Sequence, residues 1–286
     1  ARPSASPEGR LLLFYSESRK VFSAGGDIKL IESRDRGLTW GPPQTLLTHE
    51  ADGGVPKLLG GKILETRSGA WVCPFSRVPP TSGAGGATPL PLGAAPDCGT
   101  ASAGVLVSSD RGRCWRVCGK ASSKDADALV GVSVAELAPR PGKPLDARLV
   151  MLMRSAISGM VLQAISMNGG ETWQAIQQTL CQFADDDNGP GDSNTVLYAL
   201  AKLPGGSSLL GVCGDAATTP QLAFSDDDGQ TWKLDGRHAP IEPCCAQRAS
   251  AASFAITSDS HQDWWVLTGA LADGGLQLHR IALQPI

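Results

Sequence analysis

The chain has no apolar run of about 18 residues or more, so no helical membrane span is expected. No stretch carries a long, capped helical period. Charge of one sign is scarce. The 25 Lys and Arg stand against 28 Asp and Glu, a net charge of −3, and no basic surface argues for nucleic acid or an anionic membrane. There is no G-x-S-x-G elbow, and His49, His238, His261 and His279 are scattered without a readable Ser–His–Asp constellation. Paired C-x-x-C knuckles are missing too, so no metal site and no cofactor is expected. The eight cysteines fit either free thiols or a disulfide set, which leaves the compartment open. Tyrosine is nearly absent, with only Tyr15 and Tyr198. The chain opens at Ala1 with no leader pattern, as a mature form or an excised fragment would.

What is present is a repeat. The octapeptides Ser33–Trp40, Ser108–Trp115, Ser166–Trp173 and Ser225–Trp232 share the pattern S-x-D-x-G-x-T-W, with Asn168 for Asp in the third copy and Cys114 for Thr in the second. Their starts at 33, 108, 166 and 225 give steps of 75, 58 and 59 residues. Self-similarity at a fixed period decides the architecture before any single residue is weighed.

Each copy follows a short apolar run, over 28–31, 104–107, 160–165 and 221–224. Such runs bounded by turn residues read as strands, which makes the octapeptide a hairpin turn. The third-position carboxylate (Asp35, Asp110, Asp227, or the Asn168 amide) can accept backbone N–H groups two residues on. The fifth-position Gly supplies a positive φ. The Thr hydroxyl adds a local bond, and the Trp anchors the following strand. One hairpin is marginal alone, so each unit must pack on its neighbours.

A four-stranded antiparallel unit takes roughly 40–50 residues or a little more, the size of a β-propeller blade. The 58-residue step fits a blade with one longer loop, and the 75-residue step holds the Pro/Gly/Ala/Ser-rich stretch 78–100, a surface loop. The reading is one all-β domain over 1–286 with no linker between domains.

At the octapeptides the chain resembles the Asp-box, or bacterial neuraminidase repeat, proteins, and most of all the sialidase superfamily. The resemblance extends to residues 9–15 (GRLLLFY), 69–75 (GAWVCPF), 132–137 (VSVAEL) and 149–155 (LVMLMRS), and so to nearly all of 9–280. It implies a six-bladed sialidase-like propeller. The length is close to five repeats of 58 residues, which leaves either a smaller ring or one blade missing from this chain.

The resemblance also implies chemistry on a terminal sialic acid or a related acidic sugar. Three arginines clamp the carboxylate, a Tyr aided by a Glu is the nucleophile, and an Asp is the acid. Arg suits the clamp because its planar fork binds a carboxylate bidentately. Arg154 matches the clamp arginine that follows the VSVAEL strand; its other reading is an edge arginine paired with Glu136. Arg2 resembles the arginine of the family's opening motif, and Arg248 is the further clamp candidate. Asp27 stands near the acid's place, where Ala24 replaces the family's acid, and its other reading is a solvated hairpin aspartate. Gly131 falls where the helper Glu is expected, leaving Glu136 as the nearby carboxylate. The stretch 250–254 (SAASF) has no Tyr, and 215–220 has no Arg. Asp192 and Asn194, in an acidic loop after a box, are placed to touch a sugar hydroxyl, and Trp264 and Trp265 to stack on a ring. Two readings follow: a glycan-recognising sialidase-type hydrolase with an incomplete catalytic set, or a non-catalytic propeller that binds carbohydrate or protein. A glycan is the expected partner.

Overall fold

The structure is a computed structural model that describes residues 10–18, 25–51, 54–77, 102–122, 129–143, 146–155, 160–182, 196–202, 208–214, 221–234, 253–258, 264–270 and 275–281. Among these residues there is no helix, and so none long and apolar enough to cross a membrane. The described residues form twenty strands in five sheets.

The first sheet is β1 (Leu11–Glu17), β2 (Asp27–Ser33) and β3 (Gln44–Leu47), in that order. The second contains β4 (Lys57–Leu59), β5 (Leu64–Glu65), β6 (Trp71–Arg77), β7 (Ser102–Ser108) and β8 (Arg116–Ser122); its order is β4-β6-β7-β8, with β5 also on β6. The third is β9 (Leu129–Glu136), β10 (Leu149–Ser155), β11 (Val161–Ser166) and β12 (Gln177–Gln178), in chain order. The fourth takes β13 (Leu180–Gln182), β14 (Val196–Lys202), β15 (Leu209–Gly214), β16 (Gln221–Ser225) and β17 (Thr231–Leu234), ordered β13-β17-β16-β15-β14. The fifth is β18 (Ser253–Ser258), β19 (Trp264–Ala270) and β20 (Gly275–Ile281).

The first four sheets pack face to face in succession, and their cores lie between them. Ile28 and Leu47 of the first sheet meet Cys73, Phe75 and Leu106 of the second. Val105, Val107 and Cys118 of the second meet Val134, Met151 and Leu162 of the third. Val150 and Leu152 of the third meet Leu209 and Trp232 of the fourth. The strands β6, β7, β9 and β10 are buried almost without break, as strands flanked on both faces must be. Strand β9 lies against β6 and β14, and β14 against β18, so the leading strands adjoin one another. Strand β13 leaves the third sheet and pairs parallel with β17, covering the outer edge of the fourth.

All four octapeptides are the predicted hairpin turns, between β2 and β3, β7 and β8, β11 and β12, and β16 and β17. Their bonding reaches further than the two-residue span expected. In the first, Asp35 Oδ1 accepts from Thr39 N at 2.8 Å and Oδ2 from Thr39 Oγ1 at 2.5 Å, four residues on. Ser33 Oγ donates to Asp35 Oδ1 at 2.8 Å and accepts from Gly37 N at 2.8 Å. The fourth copy repeats this with Ser225, Asp227, Gly229 and Thr231. Asn168 takes the same place in the third, accepting from Thr172 N at 2.9 Å. The fifth-position glycines have φ of 82 to 93°. The fourth position is left-handed too, at Arg36, Arg111, Gly169 and Asp228, a demand the glycine pattern did not reveal.

Candidate functional site

The register divides the molecule into two ends. In the third sheet, Leu149 faces both Ser166 and Glu136, so the box turn and the end of β9 share one end. Arg154 faces Val161 and Val130 at the other. In the first sheet, Ser33 of the box faces Leu11, whereas Asp27 faces Glu17 at the far end. In the second, Arg77 faces Ser102 and Lys57, away from the Ser108 box. The end without boxes therefore collects Glu17, Asp27, Lys57, Arg77 and Arg154.

Arg154 is half-buried near the far end of β10, whose first five residues are all apolar. The β9–β10 register shifts between Leu152 and Arg154, which face Ser133 and Val130. Gly131 lies in that bulge with φ of 62°, a conformation a Glu would hold only under strain. The helper position is thus a backbone device, and the glycine there has a structural cause.

Asp27 opens β2 and is only 8% exposed. Its Oδ1 accepts from His49 N at 2.6 Å. Beside it, Lys57 is fully buried, and its Nζ donates to the carbonyls of Thr48, His49 and Ala51 at 3.2, 3.0 and 2.6 Å. The two side chains grip one turn, Asp27 by an N–H and Lys57 by its carbonyls. Gly26 and Lys57 exchange both backbone bonds, at 2.9 and 3.0 Å. Gly25 has φ of 76°, and a Cβ there would lie 2.7 Å from the Lys57 carbonyl oxygen, so the approach requires glycine. Arg77 is 5% exposed, with its guanidinium carbon 4.9 Å from the centre of the Phe75 ring. Gly104 of β7 makes room for it, since a Cβ there would stand 3.0 Å from Arg77 Nη1.

Glu136 stands apart. It lies at the box end, five residues along β10 from Arg154 by register, roughly 17 Å at strand rise. Its partner is Arg67, not Arg154: Oε2 accepts from Arg67 N at 2.9 Å and Oε1 lies 3.1 Å from Arg67 Nε. Arg67 Nη2 also donates to the Leu137 carbonyl at 2.9 Å. The cluster ties the second sheet to the third. One sugar ring cannot touch both Glu136 and Arg154.

Tyr15 is half-buried on β1 opposite Lys29. Lys29 pairs with Glu17. Tyr198 lies on β14, and Trp264 and Trp265 open β19 opposite Ile281 and Arg280. Arg2, Arg248, Asp192 and Asn194 fall outside the described residues, as do Ala24 and the 78–100 stretch. Phe254 lies on β18. Cys73, Cys114 and Cys118 are free thiols, and burial pushes Cys73 up to about 12. Lys57 and Arg77 escaped sequence reasoning. Their surroundings are carbonyls and a ring brought together by the packing of two sheets, which no local motif records.

The hairpin turns and the succession of packed sheets define an Asp-box β-propeller, a fold shared with solved sialidases. The Hadza microbial sialidase Hz136 superposes with a TM-score of 0.57 at 18% identity, over 92% of this chain and 50% of that one. The intramolecular trans-sialidase from Ruminococcus gnavus gives 0.54 at 15%, over 91% and 52%. The Trypanosoma rangeli sialidase in complex with sialic acid gives 0.53 at 16%, over 94% and 42%. The chain thus spans about half the length of these proteins. No curated protein matches by sequence. Residues 3–235 match the BNR repeat-like domain, and the chain belongs to that family.

Proposed function

We propose that the chain is a glycan-recognising protein of the sialidase type that holds a terminal sialic acid, or a related acidic sugar, by its carboxylate on Arg154. The observation that carries this reading is the position of Arg154. It is half-buried, it follows a bulge in β9, and it stands at the end away from the boxes in a chain of this family. Arg154 is the charged residue of an apolar strand, and a guanidinium kept there suits a planar anion. Hydrolysis of that sugar is the fuller form of the reading. It assigns the acid role to Asp27, a carboxylate at the same end. Arg2 and Arg248 would complete the clamp, with Asp192 and Asn194 on the sugar hydroxyls.

A second reading, binding without turnover, is favoured by one observation. Gly131 serves the bulge and carries no side chain, so the nucleophile's helper is missing from β9. Asp27 already accepts the His49 N–H, which suits a structural carboxylate as well as an acid.

A fluorogenic sialoside assay on the whole chain, with melting curves in sialic acid, separates the two. The expected result is a ligand-induced rise in Tm that Arg154→Ala abolishes. Turnover lost in both Arg154→Ala and Asp27→Asn assigns hydrolysis; a Tm rise without turnover assigns binding alone. Neither turnover nor a shift overturns the proposal.

A further inference from the structure

The first box differs from the others in what surrounds it. Trp232 of the fourth box is fully buried, and its indole N–H donates to the Gly229 carbonyl at 3.0 Å. Trp115 of the second does the same to Gly112 at 3.2 Å and meets the Phe14 ring edge-on at 5.2 Å. Trp40 of the first box is 40% exposed and lines a cleft of about 420 Å³ with Glu32, Arg34, Thr39, Pro42 and Gln44. An aromatic face with a few convergent polar groups is the usual make-up of a small-ligand cleft.

The cleft lies in cationic surroundings. Arg10 Nη2 and Arg34 Nε both donate to Glu32, at 3.1 and 2.8 Å, so the trio keeps a positive charge. Arg10 Nη1 also donates to the Arg111 carbonyl at 3.2 Å, which ties the second box turn to this corner. Arg36 and Arg111 are exposed at the fourth position of their boxes, on backbones fixed at φ of 61 and 58°. The box acids Asp35 and Asp110 are engaged by their own turns, at Thr39 and at Cys114 N. In the fourth box the equivalent positions are Asp226 and Asp228, so the positive charge belongs to this corner and not to the motif.

We propose that this cleft is a second carbohydrate site, distinct from the Arg154 end, and that it takes a carboxylated glycan chain. A sugar ring lies against the Trp40 indole, and acid groups of the chain sit on the arginines of the first two boxes. The proposal goes beyond the reading of Arg154 and does not rest on it.

The test is calorimetric titration of the whole chain with colominic acid, a polymer of carboxylated sugars, in an Arg154→Ala background, where that end contributes no binding. Binding is expected to persist there. Adding Trp40→Ala should weaken it at least tenfold, while Trp40→Phe keeps most of it. Arg36→Asn with Arg111→Asn, which tolerates the left-handed backbone, should weaken it at least tenfold and flatten its dependence on salt. All three positions are exposed, and unchanged melting curves show that the variants fold. No binding in the Arg154→Ala background, or affinity indifferent to Trp40→Ala, overturns the proposal. Binding of heparin but not of colominic acid overturns it as well, because the surface then selects sulfated chains.

Discussion

The first and fourth boxes make the same turn and use their tryptophans in opposite ways. Asp35 and Asp227 accept the same three bonds, from the Ser hydroxyl, the Thr N–H and the Thr hydroxyl. Yet Trp232 packs between two sheets against Val150 and Leu152, while Trp40 is 40% exposed and lines an open cleft. The turn is a local structure that eight residues specify by themselves. The destination of its tryptophan is a tertiary property, set by whether the next sheet presents a face to it. Counting boxes thus counts hairpins, and it says nothing about which of them hold the sheets together.

The sharpest way to break the comparison is to remove both indoles. Trp232→Ala empties a fully buried site in the core between the third and fourth sheets and is expected to cost about 3–5 kcal/mol. Trp40→Ala removes a half-exposed ring and should cost under about 1 kcal/mol. Urea denaturation of the two variants decides it. Equal losses would mean that the turn, not the sheet face beyond it, sets the value of the tryptophan.

Next in size is the turn itself. Asp227→Ala leaves Thr231 N and Thr231 Oγ1 without the acceptor they meet at 2.8 and 2.6 Å, and should lower stability by about 1–2 kcal/mol. The box lies at the end away from Arg154, so affinity for an acidic sugar should not change. A loss of affinity at full stability would show that the boxes take part in the site.

The same contrast explains what the sequence made legible. Turns, strand runs and their order could be read because each lies within a dozen residues of chain. Side-chain partners across sheets could not be read. Glu136 and Arg154 stand 18 positions apart, and the Arg67 that does clasp Glu136 lies 69 positions away, in the turn between β5 and β6. Lys57 gave no signal as an isolated lysine; its role comes from three carbonyls of a turn that two sheets bring together. The parallel passage of β13 onto β17 is equally silent, since a three-residue strand carries no period. The fourth-position left-handed residue hid behind arginine, which tolerates that backbone only because the box bonds hold it.

The smallest expected effect separates the third box from the rest by acid. Asp35 is held down to about 2 by its Thr39 and Ser33 bonds, and Asp110 to about 2 by the Cys114 N–H and Ser108. Asp227 is lowered by its Thr231 and Ser225 bonds, in spite of a burial that pushes the other way. A carboxyl whose folded value lies below its unfolded one adds stability above the unfolded value, and that contribution fades as pH falls from 3.8 to about 2. Asn168 makes the equivalent backbone bond without a titrating group, so its box contributes nothing to this decline. It also shows that an amide fits the turn, with Nδ2 donating to Thr172 Oγ1 at 2.9 Å. A chain carrying Asp35→Asn and Asp110→Asn should therefore fold normally at neutral pH and lose Tm less steeply between pH 4 and pH 2 than the wild type. An identical acid limb in the two proteins would place the acid sensitivity in other carboxylates, such as Asp146 on Arg140 or Glu32 between Arg10 and Arg34.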